Sequence, residues 1–376
     1  MRILLTINTG ANLNSHGVNR HSRAIIDLEA IRNNYRYLKK IAAGSRLIAV
    51  VKADAYGHGA VEVAAALPEA DAFAVAAVGE ALALRRAGIE QKILVLGGFI
   101  RAAELQACIA NQLDPVLHHQ AHLDCLQDNG ALDNIEVWVK VDSGMGRLGF
   151  PIDRIGEVIA RLAEMPSLGC IRLMTHLASA DETDNPFTGV QIDNINALGI
   201  DDYEWGIANS AGILGWPESH RHWVRAGIAM YGADPMSDRK SSRRELKPAM
   251  TMKSSVLAVN SHPAGDRIGY GNTYTCPRDM TIAVIAAGYA DGYTRNKVDT
   301  AQVSIHGQLC DIVGRVSMDM ITVDVSDLEA VNVDDEVILF GDSPHANDIA
   351  DSSQTIAYEI LCNVGAHVKR EYIGQL

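Results

Sequence analysis

The stretch "AVVKADAYGHGA" (49–60) sets one lysine, Lys52, at the end of an apolar run and just ahead of a glycine-rich loop. An ammonium at the edge of apolar surroundings is partly desolvated. It gives up its charge more readily than one in water and becomes an amine nucleophile able to condense with an aldehyde. Taken alone, a strand-end lysine is ordinarily a solvated one. Chemistry at Lys52 therefore requires a scaffold that turns this strand end toward a ligand. Other common catalytic layouts are not apparent. The six cysteines, at 108, 125, 170, 276, 310 and 362, are widely scattered, with neither a zinc-type pair nor a disulfide framework. This spacing predicts reduced thiols, a cytoplasmic protein and no metal.

The scaffold follows from length and periodicity. A chain of 376 residues exceeds what one hydrophobic core usually organises, so two domains are expected. A formal charge of −13 disfavours a nucleic-acid scaffold, which needs clustered Lys and Arg, and leaves a small molecule as the expected ligand. The opening "MRILLTINTG" is only briefly apolar, and no run reaches the roughly 18 apolar residues of a membrane span. Neither a signal peptide nor a membrane partner is expected.

Short β-rich runs alternate with helical patterns over the first two thirds: residues 47–53, 72–78, 92–98, 114–118, 135–142, 170–176, 204–210 and 223–232 read as strands. Segments between them, such as "DRIGEVIARLAEM", repeat apolar residues every three or four positions. Strand and helix alternating in this way imply parallel pairing, and eight such units predict an α/β fold, a closed (β/α)8 TIM barrel. Lys52 then lies at the C-terminal end of the first strand, the face on which such barrels build their sites. After the polar stretch "SDRKSSRRELKP" the chain becomes β-rich, with short Gly, Asp and Asn turns, and ends near a helix around "ADSSQTIAYEILCNV". The expected division is an arm over 1–22, a barrel over 23–247 and a C-terminal all-β domain over 248–376.

"AVVKADAYGHGA" resembles the pyridoxal-phosphate lysine motif of the alanine racemase family. Further matches follow in order: "VDSGMGRLGF" (141–150), "THLASADE" (175–182), "ANSAG" (208–212), "VRAGIAMYG" (224–232), "GYGNTY" (269–274), "AAGYADGY" (286–293) and "GRVSMDM" (314–320). The ordered set spans nearly the whole chain beyond residue 22. The family fold, a barrel followed by a β domain, agrees with the plan read from alternation.

The resemblance implies a set of roles. Lys52 would carry pyridoxal 5'-phosphate as a Schiff base; Tyr56, Asn209, Ser210, Gly227 and Ile228 would lie around the cofactor, mostly at its phosphate. Taken alone, Ser210 reads equally as a helix N-cap. Arg225 would face the pyridine nitrogen. An arginine there donates a hydrogen bond but keeps its proton, which weakens the ring as an electron sink and discourages transamination. Racemisation needs a base on each face of the Cα plane, and Lys52 and Tyr270 would supply them. A phenol of reference pKa about 10 needs positive neighbours for this work, and His176 and Arg225 would form that chain. Arg147 would contact the cofactor and the substrate carboxylate. Lys140 carries a carbamate in many members; an ordinary ion pair is the alternative here. Tyr289, Met318 and Asp319 would line the substrate side.

Because Tyr270 lies in the second domain, the resemblance further implies a head-to-tail homodimer with shared active sites. The expected activity is interconversion of L- and D-alanine, the D form supplying cell-wall peptidoglycan. Serine or a larger amino acid is the nearest alternative substrate. A related barrel decarboxylase and a non-enzymatic pyridoxal-phosphate carrier are the other readings; Arg225 argues against the first and the second domain against the other. Two departures stand out. Ser317 replaces a common cysteine, and "CNVGAHVKREY" has Ala366 and His367 where a proline or tyrosine followed by an arginine is usual. The second departure predicts loss of a phosphate-contacting tyrosine and looser cofactor binding.

Overall fold

Apolar segments of four to six residues, buried on both faces, make up the first of two sheets, as parallel strands covered on both sides require. The computed structural model describes residues 20–165, 167–238, 245–296 and 300–374. In chain order the first strands are β1 (Arg23–Asp27), β2 (Arg46–Val50), β3 (Ala72–Val75), β4 (Lys92–Val95) and β5 (Asp114–Leu117). Then come β6 (Val137–Asp142), the two-residue β7 (Phe150–Pro151), β8 (Ile171–Met174), β9 (Trp205–Gly206) and β10 (Trp223–Ala226). Strands β2 to β6 pair in sequence, β6 continues to β8, β9 and β10, and β10 returns to β2. Every one of these pairings is parallel, so the eight strands close the expected barrel.

The observed barrel strands are shorter than the sequence suggests, for local reasons. The first stops at Val50 because Lys52 opens a tight turn. The seventh is two residues long, since Ser210 already starts the helix Ser210–Gly215. The eighth ends at Ala226, where Gly227 (φ −113°, ψ −108°) leads into the single 3-10 turn Ile228–Tyr231.

The second sheet holds β11 (Met250–His262), β14 (Met280–Ile285), β15 (Gln302–Ile305), β16 (Gln308–Asp311), β17 (Ile321–Asp324), β18 (Glu336–Phe340) and β19 (Lys369–Ile373). A separate hairpin, β12 (Arg267–Ile268) with β13 (Tyr274–Thr275), projects from it. Strand β11 serves three partners: it pairs β18 through Ser255 and β14 from Val256 onward, and its first residues, Met250 to Lys253, pair β1. The expected C-terminal helix is divided in two, Ala346–Ser352 and Ala357–Cys362.

One correction concerns the start of the chain. Residues 23–27, counted with the barrel in the sequence reading, form β1, which runs antiparallel to β11 and parallel to β19. A strand at the sheet centre must be apolar on its core face, and Ala24 and Ile26 are fully buried. Asp27 then caps the first helix, Leu28–Ile41, by accepting from Glu29 N and Ala30 N. The expected arm over 1–22 lies outside the described residues as far as residue 19, as do 239–244 of the polar stretch before the second sheet. Most buried side chains of the barrel and of the second sheet form one contiguous core, and Ile268, Cys276, Met280, Ile282 and Val313 form a smaller separate cluster.

Candidate active site

At the C-terminal end of the barrel a cavity of about 280 Å3 opens. Lys52 and Tyr56 reach it from the segment after β2, Lys140 from β6, Arg147 from the following loop, and His176 from just beyond β8. Asn209 and Ser210 come from the start of their helix, Arg225 from β10, and Gly227 and Ile228 from the turn after it.

Lys52 owes its position to an unusual backbone. Ala53, Asp54, Ala55 and Tyr56 all have φ between 51° and 54°, a full left-handed helical turn without glycine. Each such residue costs roughly 1–2 kcal/mol, so neighbours must hold the turn. Glu80 accepts from Ala53 N (2.8 Å), and Asp54 accepts through its side chain from Ala60 N (2.8 Å). Buried His58 donates from Nδ1 to the carbonyls of Ala55 and Tyr56, at 2.9 and 3.0 Å. Gly57 (φ +83°) lies so close to the helix Ala357–Cys362 that a Cβ would stand 2.5 Å from Leu361 O. Arg370 completes the clamp, with hydrogen bonds to the carbonyls of Gly57, Val364, Gly365 and Val368.

The opposite wall is built as closely. Asn209, not Ser210, caps its helix, accepting from Gly212 N at 2.9 Å. The Ser210 hydroxyl instead accepts from Gly227 N at 2.8 Å, which leaves its own hydrogen to donate. Gly227 must lack a side chain, because a Cβ there would sit 2.7 Å from Tyr56 Oη. Buried Arg225 donates to the carbonyls of Thr175 (2.6 Å), Gly206 (2.8 Å) and Ile207 (3.0 Å), and to His176 Nδ1 at 3.4 Å. Accepting at Nδ1 puts the His176 proton on Nε2.

Charge is distributed one-sidedly. Four cations, Lys52, Lys140, Arg147 and Arg225, face the cavity, and among the described residues no carboxylate lines it. Burial and the neighbouring Arg147 pull the Lys52 ammonium below its ordinary range. Burial, then Arg225 and Arg147, bring Lys140 down to about 8. Burial beside Arg225 holds His176 well below its usual value, so it is neutral at pH 7. Arg225 is lowered by burial to about 10 and stays charged. Burial raises the Tyr56 phenol above its ordinary range and pushes Tyr358 up to about 12, so both remain hydroxyl donors.

Tyr358, which the sequence reading passed over when it expected the loss of a tyrosine near Ala366, also lines the cavity. It reaches the cavity from the helix Ala357–Cys362, with its ring centroid 5.9 Å from that of Tyr56. The signal lay in "TIAYEI", eight residues before the Ala366 on which the expectation rested. His367 instead lies against Asp291, with Nε2 3.3 Å from Oδ1.

Four sequence candidates are not brought into this cavity. Tyr270 stands on the tip of the β12–β13 hairpin and is 65% exposed. Tyr289, Met318 and Asp319 form a second surface group, joined by main-chain bonds from Tyr289 N to Ser317 O and from Ala290 N to Met318 O.

A closed parallel barrel followed by a β domain, with four cations around a cavity at the C-terminal strand ends, defines the class: an α/β barrel joined to a C-terminal sheet. Family models for the alanine racemase N-terminal domain and the alanine racemase C-terminal domain match residues 26–235 and 249–372. The chain is 45% identical over 348 residues to the alanine racemase of Azoarcus sp., covering 92% of this chain and 97% of that one. It is 43% identical to that of Thioalkalivibrio sulfidiphilus, covering 94% and 99%. The biosynthetic alanine racemase of Pseudomonas aeruginosa superposes with a TM-score of 0.92 at 38% identity, over 94% of this chain and 99% of that one. An alanine racemase from Bartonella henselae with covalently bound pyridoxal phosphate superposes with a TM-score of 0.85 at 31% identity, again over 94% and 99%. The chain belongs to the alanine racemase family and is an isomerase, an amino-acid racemase.

Proposed function

We propose that this protein binds pyridoxal 5'-phosphate at Lys52 and interconverts L- and D-alanine by proton transfer between two bases, with active sites shared in a homodimer. The carrying observation is the chemistry of the cavity: Lys52, an amine of lowered proton affinity, faces it with three further cations and, among the described residues, no carboxylate. Such a site fits a phosphorylated aldehyde. The hydroxyls of Tyr56, Ser210 and Tyr358, with the Gly227–Ile228 turn, form a donor-rich wall at one end, and the absence of a Cβ at Gly227 leaves the approach open. Lys52 would hold the group, Arg225 would face its ring nitrogen, and Asn209 would brace the Ser210 helix. When bound, the cofactor would supply the electron sink that acidifies the substrate Cα–H.

The protein residues then divide the work. Lys52 Nζ takes or returns a proton on one face of Cα. The Tyr270 hydroxyl of the partner subunit acts on the other face, where its exposure on one chain suits insertion into a second. His176, with its proton on Nε2, offers that phenolate a hydrogen bond and is oriented by Arg225. Arg225, pinned by three carbonyls and meeting no acid among the described residues, disfavours the decarboxylase alternative. Arg147 suits a bidentate grip on the substrate carboxylate. Lys140, lowered to about 8, holds enough free amine near neutrality to combine with carbon dioxide, releasing one proton and leaving the carbamate anion beside Arg147. Tyr289, Met318 and Asp319 would come from the partner to the substrate side. A cytoplasmic role in supplying D-alanine to peptidoglycan follows; among the described residues no helix is long and apolar enough to cross a membrane.

Proton NMR in heavy water, with L-alanine, L-serine and longer L-amino acids, followed by chiral chromatography, tests this. Loss of the Cα proton signal with appearance of the D enantiomer, fastest for alanine, is expected. Amine and carbon dioxide release, or cofactor binding without exchange, would overturn it.

A further inference from the structure

The sequence reading left the segment before β1 without a role, yet its last residues reach the second surface group. Arg20 donates from Nη1 to Asp291 Oδ1 at 2.9 Å and is ion-paired through Nη2 with Asp319. Asp291 is 2% exposed, and its other oxygen accepts from Gly288 N at 3.0 Å. His367 shares the same Asp291 oxygen and lies 3.5 Å from Arg20 Nη1. The 288–291 turn is itself pressed onto the 317–319 loop. Tyr289 N and Ala290 N donate to Ser317 O and Met318 O, and a Cβ at Gly288 would stand 2.2 Å from Met318 O. One guanidinium thus bridges two carboxylates on the two segments that carry Tyr289, Met318 and Asp319.

We propose that Arg20 is a positioning residue for the substrate side of the partner's active site, neutralising Asp319 and locking its loop against the Tyr289 turn. The proposal rests on the shared-site reading above. An exposed carboxylate beside the path of an amino acid repels the incoming carboxylate unless a cation compensates it. Arg20 supplies that cation without touching the reacting atoms, so its loss should act on substrate capture and spare Lys52 and Tyr270.

The test uses the full chain loaded with pyridoxal phosphate. Arg20 is 41% exposed at its side chain, so Arg20→Ala should leave the fold intact. The expected result is a dimer with unchanged cofactor content, KM for L-alanine raised about tenfold and kcat within about twofold. Arg20→Lys, which keeps the charge, should recover most of the loss. Adding Asp319→Asn to Arg20→Ala should lower KM again by removing the uncompensated anion. An unchanged KM, a fall confined to kcat, dissociation to monomers, or no relief from Asp319→Asn would each overturn the assignment. A wild-type monomer with full activity would remove the shared-site reading itself, whereas an unaffected Arg20→Ala dimer would sink this proposal alone.

Discussion

At the residue scale, the cavity depends on one missing side chain. Gly227 approaches Tyr56 Oη so closely that a methyl group would stand 2.7 Å from it, while Gly227 N is held by the Ser210 hydroxyl at 2.8 Å. Gly227→Ala should therefore displace Tyr56 or break the Ser210 bond, both in the donor wall proposed for the phosphate. Overpacking of this kind costs about 1–3 kcal/mol, and the expected effect is a cofactor affinity weakened by about tenfold or more in a folded protein. Absorbance titration of the stripped protein with pyridoxal phosphate measures it; an unaltered dissociation constant would mean that Tyr56 gives way without consequence. Residue types were legible here where a motif carried them, as at Lys52, Ser210 and Arg225. Tyr358 lies outside those motifs, in "TIAYEI", and the packing of the helix Ala357–Cys362 on Gly57 is what brings it to the cavity.

At the element scale, strand ends decide what the two faces of the barrel do. The C-terminal ends carry the cavity; the N-terminal ends carry an ion network in which Arg172 bonds Glu136 and Glu204 (2.8 Å to the latter), with Lys92 and Arg46 paired to the same two acids. Asp114 opens β5 beside this network, buried, with no hydrogen bond to Oδ2 among the described residues. Burial raises its carboxyl to about 6 against the pull of Lys92 and Arg172 and with a push from Glu136. The folded chain thus holds this proton more tightly than the unfolded one. The resulting stability is complete below the ordinary value of 3.8 and is lost as pH rises through about 6. Asp114→Asn should escape that loss, gaining about 2–3 kcal/mol relative to wild type between pH 4 and pH 7. Urea unfolding of both proteins at the two pH values checks this; a stability difference that does not change with pH would refute it.

At the scale of the whole molecule, the two proposed bases lie apart on one chain, with Lys52 in the cavity and Tyr270 exposed on its hairpin. If each site combines Lys52 of one subunit with Tyr270 of the other, inactive Lys52→Ala and Tyr270→Phe dimers should complement. Each hybrid dimer carries one intact and one doubly altered site. Random exchange of subunits should then restore roughly a quarter of the wild-type sites. Activity measured after mild dissociation and reassociation reads this directly. No recovery, despite hybrids detected by mass spectrometry, would exclude shared sites.

The amino-acid sequence by itself determined the barrel, since eight apolar runs spaced by helical periods admit parallel closure, and it determined the family through ordered motifs around Lys52, Arg225 and Tyr270. Those signals are local in the chain, and local patterns survive without coordinates. Only the tertiary structure decided the rest. It moved β1 into the second sheet, drew the Ser210 hydroxyl to Gly227 N, supplied Tyr358 to the cavity and joined Arg20 to Asp291 and Asp319. Each of these depends on contacts between residues far apart in sequence, where composition and period carry no information about which groups meet.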